Sequence, residues 1–332
     1  MYESYYGFTE RPFQLTHNSN WFFASRLHKK ALAYLQYGLT QGEGFIVITG
    51  DVGTGKTTLA SQLLSMLNQD EIVARQIVTS KLEPDDLIRM IANSFNLKVE
   101  ENNKASYLDA IYIFLKRLHS MHRRALLLVD EAQNLPLESI EELRMLSNFQ
   151  IDGKPLLQSF LLGQNELNPV IQAPNMEQFR QRIIASSNLV PLLEVETKEY
   201  VEFRLNMAGV KHSLLEDECF PLVQQFSRGI PRRINLLMDR VLLLGYLEQH
   251  KTISAEHVQS VINEISEEIA HQTPASPQNI KSESEAPVTT SPSPAALGSA
   301  SVQQLLDESL EQKLKLIKEL DELILQRQQQ AK

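Results

Sequence analysis

A glycine-rich segment between an apolar run and a helical run constrains this chain more than any other feature. Gly50-Asp51-Val52-Gly53-Thr54-Gly55-Lys56-Thr57 follows Phe45-Ile-Val-Ile-Thr49 and opens a helix-like stretch over 57–67. Glycines let the backbone curl until successive N–H groups point at phosphate oxygens, and the positive end of the following helix faces the same anion. Lys56 then reaches the β and γ phosphates, and the Thr57 hydroxyl suits Mg²⁺. A mere glycine turn requires neither the Lys-Thr pair nor the flanking strand and helix. Gly50, Asp51, Val52, Gly53, Thr54, Gly55, Lys56, Thr57 and Thr58 are therefore the candidate nucleotide-binding residues.

The chain around this segment reads as α/β. Apolar runs at 45–49, 72–78, 125–129 and 156–162, and a weaker one at 188–192, alternate with helical stretches such as 107–121. Continuous apolar runs of that length are the signature of parallel strands buried on both faces. After Pro191 the runs cease, and helical periodicity appears at 197–208, 216–227, 231–248 and 254–270. The expected organisation is a sheet domain over 1–192 and a helical domain over 193–270. Residues 271–301 turn to Pro, Ser, Thr and Ala, which cannot bury enough surface to offset their ordering entropy and so predict a flexible linker. From 302 to 332 apolar residues return at Leu306, Leu310, Leu314, Ile317, Leu320 and Ile324, one face of an amphipathic helix. That face fits a docking or coiled-coil partner or a solvated, partly formed helix, and fits a membrane surface less well because its charge is mixed and not basic.

Composition narrows the function classes. The 332 residues carry 32 Lys and Arg against 41 Asp and Glu, a net charge of −9, which argues against a nucleic-acid partner. A single cysteine, Cys219, excludes an intramolecular disulfide and a cysteine-rich zinc site and points to a reducing compartment. The N-terminus lacks the basic segment and apolar core of a signal peptide, and no apolar run approaches the ~18–20 residues of a transmembrane segment. The expectation is a soluble cytoplasmic protein.

Further chemistry gathers at the ends of the other runs. The run at 125–129 ends in Asp130-Glu131, where a carboxylate at a strand end orders the Mg²⁺ shell and its neighbour polarises the attacking water. Asp130 is the metal-side candidate with Thr57, and Glu131 the candidate base. The run at 156–162 leads into Gly163-Gln164-Asn165, which makes Gln164 a candidate sensor of the γ-phosphate or a capping residue. Arg180 and Arg182, in Phe179-Arg180-Gln-Arg182-Ile183, fit either a phosphate-facing pair or a solvated helix face. Gly229-Ile-Pro231-Arg232-Arg233 opens a helix, with proline suited to its first turn and the arginines open to phosphate or solvent.

Several of these segments together resemble the general secretion pathway protein A (ExeA-type) branch of AAA+ ATPases. The resemblance is carried by residues 1–13, by Gly42-Glu-Gly-Phe-Ile-Val-Ile-Thr-Gly50, by Asp130-Glu-Ala-Gln-Asn134, by Leu161-Leu-Gly-Gln164 and by Gly229-Ile-Pro-Arg232. Residues 141–150, 157–164 and 232–235 are most similar to the ATPase of PEP-CTERM/exosortase loci, with MSHA-pilus ATPases as near relatives. The resemblance implies a P-loop AAA+ module: a five-stranded parallel sheet, a helical lid, and ATP with Mg²⁺ bound between subunits of a homo-oligomeric ring. It implies that Arg180 and Arg182, the latter favoured, belong to an arginine-finger segment serving the neighbouring subunit, and that Arg232 is the lid's phosphate-sensing arginine. It sets Phe8 and Phe13 near adenine, where a plain core role also fits both. Relatives of the secretion type carry a membrane span and a peptidoglycan-binding domain where this chain has its linker and helix. The implied activity is ATP hydrolysis driving or regulating assembly of an envelope secretion or exopolysaccharide export system. The C-terminal helix would meet an inner-membrane component and hold the protein peripherally at that membrane. A DNA-associated regulator of the transposition type, a pilus-biogenesis ATPase and a slow nucleotide-dependent scaffold are the alternative readings.

Overall fold

The computed structural model describes residues 2–15, 21–210 and 213–272, so the expected linker beyond Gln272 and the expected helix over 302–332 lie outside the described residues. The chain begins with α1 (Tyr2–Tyr6) and α2 (Arg26–Gln41), followed by β1 (Phe45–Gly50), α3 (Lys56–Met66), β2 (Ile72–Val78), α4 (Pro84–Ser94) and α5 (Lys104–Ser120). Then come β3 (Arg124–Asp130), α6 (Leu137–Leu146), the short hairpin β4 (Gln150–Ile151) and β5 (Lys154–Pro155), and β6 (Leu157–Gly163). Two short helices, α7 (Leu167–Gln172) and α8 (Glu177–Arg180), lead into β7 (Ile183–Leu189). Four helices complete the described chain: α9 (Glu194–Met207), α10 (Cys219–Ser227), α11 (Pro231–Leu247) and α12 (Ala255–Gln272).

The main sheet has five strands in the order β2-β3-β6-β1-β7, and every pairing in it is parallel. Its central strands alternate between two cores. Phe45, Val47, Leu127, Val129 and Leu161 face α4, α5 and α6 on one side. Ile46, Ile48, Leu126, Leu128, Phe160 and Leu162 face α2 and α3 on the other. Burial on both faces is why these strands read as unbroken apolar runs. β7 lies at the sheet edge, and its Ser186, Ser187 and Asn188 interrupt the apolar pattern. The expected fifth strand at 188–192 therefore moves back to Ile183–Leu189.

A third core belongs to α9–α12, and the beginning of the chain enters it. Tyr2, Tyr6, Phe8, Phe13 and Trp21 pack there with Val201, Leu237, Val241 and Val258. Phe8 and Phe13 are thus core residues of the helical body, with Phe13 1% exposed, and not walls of a nucleotide cleft. Arg204 of α9 fixes this strand of chain by donating to the carbonyls of Pro12 at 2.6 Å and Gln14 at 3.2 Å. Asn235 of α11 adds a bond to the Gln14 carbonyl at 3.2 Å. Because β1, β3 and β6 are neighbours and run the same way, their C-terminal ends form one crevice.

Candidate functional site

The chain leaves β1 through the glycine loop and enters α3 at Lys56, so the loop lies across the mouth of that crevice. Gly53 and Gly55 have φ of 85° and 97°, a region that favours glycine. A Cβ on Gly53 would come within 2.7 Å of the Arg232 Cβ, and one on Gly55 within 2.9 Å of His28 Nε2. The loop can therefore approach both neighbours only as glycine. Lys56 is buried beneath it and donates from Nζ to the carbonyls of Gly50 at 2.8 Å and Asp51 at 3.0 Å. Burial lowers its pKa below the ordinary lysine value, against the opposing pull of Glu131, Asp130 and Asp51.

Asp130 ends β3 beside the start of α3. Its Oδ2 accepts the Thr57 hydroxyl at 2.9 Å and the Gln76 amide at 3.3 Å, and its Oδ1 accepts the Glu131 N–H at 2.9 Å. Only 2% of Asp130 is exposed, so these donors replace the water it has lost. The pair expected from the sequence, Thr57 and Asp130, is thus brought together.

Glu131 stands in the left-handed region, with φ of 56°, an uncommon conformation for a residue with a side chain. Thr79 holds the turn by donating its hydroxyl to the carbonyls of Asp130 and Glu131, each at 2.9 Å. The Glu131 carboxylate accepts from the amides of Gln133 at 2.6 Å and Gln164 at 3.3 Å. Gln133 in turn accepts the Gln164 backbone N–H at 2.8 Å. The expected sensor and the expected base are therefore in contact, through a residue, Gln133, that the sequence reading passed over. Asn165 extends the group by donating to the Asp51 carboxylate at 2.6 Å.

A cleft of about 310 Å³ opens above the loop, a volume within the range of small-ligand sites. Its polar end holds Lys56, Thr57 and Glu131, and Thr58 also lines it. Its other end holds Trp21, Phe23, Tyr200 and Arg204. The Arg204 guanidinium lies over the Trp21 ring at 5.1 Å and the Tyr200 ring at 5.8 Å. Arg204 is 8% exposed, and burial lowers its pKa below the ordinary arginine value. His28 of α2 forms part of the wall. The Thr54 carbonyl can only accept, so His28 Nε2 carries the proton donated to it at 3.0 Å, and Nδ1 accepts from the Ser25 hydroxyl at 2.7 Å. Burial lowers the His28 pKa and favours this neutral form.

Arg232 lines the same cleft, and its backbone N–H donates to the Gly53 carbonyl at 3.3 Å, linking α11 to the loop. Arg180 and Arg182 are not brought to it. Arg180 donates to the carbonyls of Ile171 at 2.9 Å and Ala173 at 2.7 Å, closing the end of α7. Arg182 donates to the Ser147 hydroxyl at 2.6 Å, and its carbonyl accepts the Phe45 N–H at 2.8 Å ahead of the edge strand. Neither is among the described residues that line the cleft of its own chain.

Residues 39–171 match the AAA domain family. The chain is 37% identical over 258 residues to General secretion pathway protein A of Aeromonas hydrophila, an alignment covering 77% of this chain and 47% of that protein. The chain thus spans less than half the length of that relative. Among solved structures, it resembles Aeropyrum pernix ORC2 in its ADPNP-ADP complexes, with a TM-score of 0.61, 15% identity and coverage of 77% and 72% of the two chains. Cdc6p from Pyrobaculum aerophilum gives a TM-score of 0.59 at 17% identity, covering 82% and 74%. At these identities the likeness concerns the fold.

Proposed function

Starting from a P-loop AAA+ module with an AAA domain across residues 39–171, we propose that this chain binds ATP with Mg²⁺ and hydrolyses it as a nucleotide-dependent homo-oligomer. The observation that carries the proposal is the direct bond from the Thr57 hydroxyl to the buried Asp130 carboxylate, at the start of the helix that follows the glycine loop. A hydroxyl and a carboxylate side by side, beside the loop, are the oxygen donors a hard divalent cation takes when it also holds phosphate. Bound Mg²⁺ would supply charge neutralisation on the β and γ oxygens.

The chain's own residues supply the rest of the chemistry. Lys56 lies under the loop with its ammonium on the carbonyls of Gly50 and Asp51, from which it turns to phosphate oxygens. Glu131 is the base that orients the attacking water, and Gln133 and Gln164 hold its carboxylate at the crevice. Arg232, at the start of α11, carries the state of the phosphates into the helical body over 193–270, which acts as the lid. The aromatic end of the cleft accepts the base by stacking. Arg182 serves the cleft of a neighbouring subunit, consistent with its position ahead of the edge strand β7 and away from its own loop.

In the cell, the 37% identity to General secretion pathway protein A supports a role in assembling an envelope secretion or export system. The finer assignment, an exosortase-associated exopolysaccharide system, rests on the sequence segments 141–150 and 157–164. No helix among the described residues is long and apolar enough to cross a membrane. The attachment proposed for the inner membrane is through a partner bound by residues 302–332.

Phosphate release by the full chain with ATP and Mg²⁺, beside Lys56→Ala, is the direct test. Wild type is expected to turn over, and the variant is expected neither to turn over nor to bind a fluorescent ATP analogue. Release that ignores the substitution, or no release at all, overturns the proposal.

A further inference from the structure

At the opposite end of α11 from Arg232, Glu248, His250 and His257 each offer a ligand atom, and these atoms lie within 4.8 Å of one another. We propose that this cluster is a binding site for a divalent transition-metal ion of the zinc class, separate from the nucleotide cleft. Glu248 Oε2 is 3.3 Å from His250 Nε2, and the two imidazole rings are 4.3 Å apart between centroids, tilted by 40°. Tetrahedral zinc, with bonds of about 2.0–2.2 Å to nitrogen and oxygen, sets its ligand atoms ~3.3–3.5 Å apart. The side chains therefore need only small movements to close on an ion.

The backbone beneath them is already fixed. Glu248 caps α11, and Gln249 turns the chain with a left-handed φ of 63°. The His250 N–H donates to the Gly245 carbonyl at 2.8 Å, and the Tyr6 hydroxyl donates to the His250 carbonyl at 3.0 Å. Three residues on, the Ile253 N–H donates to the Leu214 carbonyl at 2.8 Å. His257 lies in the first turn of α12, with Nδ1 3.0 Å from the Ser254 hydroxyl. The Ser254 backbone N–H donates to Nδ1 at 3.0 Å, so in the ion-free chain Nδ1 accepts and Nε2 carries the proton; an ion taking Nε2 shifts that proton to Nδ1, where the Ser254 hydroxyl can accept it. This is the outer-shell partnership that metal-binding histidines use. Little backbone ordering entropy remains for an ion to overcome.

At the Glu248 side the field favours a cation, against the opposing N-terminal end of α12 beneath His257. The last turn of α11 contains no basic residue, and its cap is an acid, Glu248, where the helix carbonyls already concentrate negative potential. Two imidazoles and one carboxylate select zinc, nickel or copper over magnesium and calcium, which prefer oxygen throughout. The Glu248 and His250 side chains are 49% and 44% exposed, leaving an open side for water as a further ligand.

The experiment is calorimetric titration of the untagged full chain with Zn²⁺, in excess Mg²⁺ so that the oxygen ligands at Thr57 and Asp130 are occupied. One saturable site is expected, with a zinc-dependent rise in Tm. His250→Ala should weaken binding by about tenfold or more. His257→Gln should do the same, and since Ser254 N–H also lies 3.0 Å from His257 Nδ1, glutamine there keeps the start of α12 capped. Glu248→Gln serves if either histidine variant fails to fold, as judged by circular dichroism. Zinc affinity unchanged in folded variants, or no saturable binding by wild type, overturns the proposal. Neither result bears on ATP binding, which is read separately.

Discussion

Gln133 grips Glu131: its amide nitrogen donates to the Glu131 carboxylate at 2.6 Å while its amide oxygen accepts the backbone N–H of Gln164 at 2.8 Å. The candidate base is thereby registered to the end of β6, although base and anchor are 33 residues apart in the chain. Gln133→Ala leaves Glu131 with only the 3.3 Å contact to the Gln164 side chain. Misplacing a general base costs rate rather than substrate binding. The expected outcome is a fall of about tenfold in kcat with KM for ATP nearly unchanged. Equal losses in kcat and in ATP affinity would show that Gln133 serves the fold of the loop instead.

Glu131→Gln and Arg182→Ala should each bind ATP and each lose most hydrolysis, the first by removing the base and the second by removing a cation from a neighbour's γ-phosphate. Such fingers are worth ~10³–10⁵ in rate. Mixed at concentrations that assemble, the two variants should recover part of the activity, since some interfaces then pair an intact Glu131 with an intact Arg182. Two defects in one self-contained site cannot rescue each other. Absence of recovery in oligomers shown to be mixed removes the trans role of Arg182. Its loss of the Ser147 bond should cost only about 1 kcal/mol of stability, so folding does not confuse the reading.

His28 makes the fold sensitive to acid. Burial lowers its pKa in the folded chain below the ordinary 6.5, so the unfolded chain binds this proton more readily. The stability owed to neutral His28 is complete above pH ~6.5 and is lost as pH falls through the lowered folded value. Thermal melts of wild type and His28→Gln between neutral pH and pH ~5 check this. The variant should lose less Tm on acidification, because glutamine can donate to Thr54 without taking up a proton. Parallel curves would assign the acid sensitivity to other groups.

A chain ending at Gln272 should retain ATP hydrolysis while losing its function in the cell, if residues beyond it serve only to bind a partner. The cores around the sheet and around α9–α12 are built from residues before that point. Turnover that disappears with the truncation would make the removed segment part of the catalytic assembly.

What the sequence disclosed follows burial. β1, β3 and β6 were legible as strands because their residues alternate between two apolar cores, and the glycine loop and Asp130-Glu131 were legible because each follows such a strand. β7 was misplaced because an edge strand needs little apolar surface, and Ser186, Ser187 and Asn188 satisfy it. α2 went unread, although Ser25 and Gly42 are ordinary start and stop signals and its buried residues His28, Ala31, Leu35 and Gly38 recur at helical spacing, because only Leu35 among those four is a large apolar residue. The aromatic end of the cleft could not have been read at all. Trp21, His28, Tyr200 and Arg204 come from segments nearly two hundred residues apart and meet only after folding. No local pattern records that meeting. Arg204 in particular looks like one more charged residue of α9, yet it is almost fully buried.

The early entry of the chain into the helical body has a mechanical consequence. Polypeptide crosses between that body and the sheet twice, once between Trp21 and α2 and again between Leu189 and α9, and Arg204, lying over the Trp21 ring, fastens the first crossing at its helical end. A body hung on one covalent thread can swivel about it in any direction. One hung on two can only hinge, about the line that joins them. A nucleotide-driven movement of α11 and its Arg232 would then turn about the line through these two crossings.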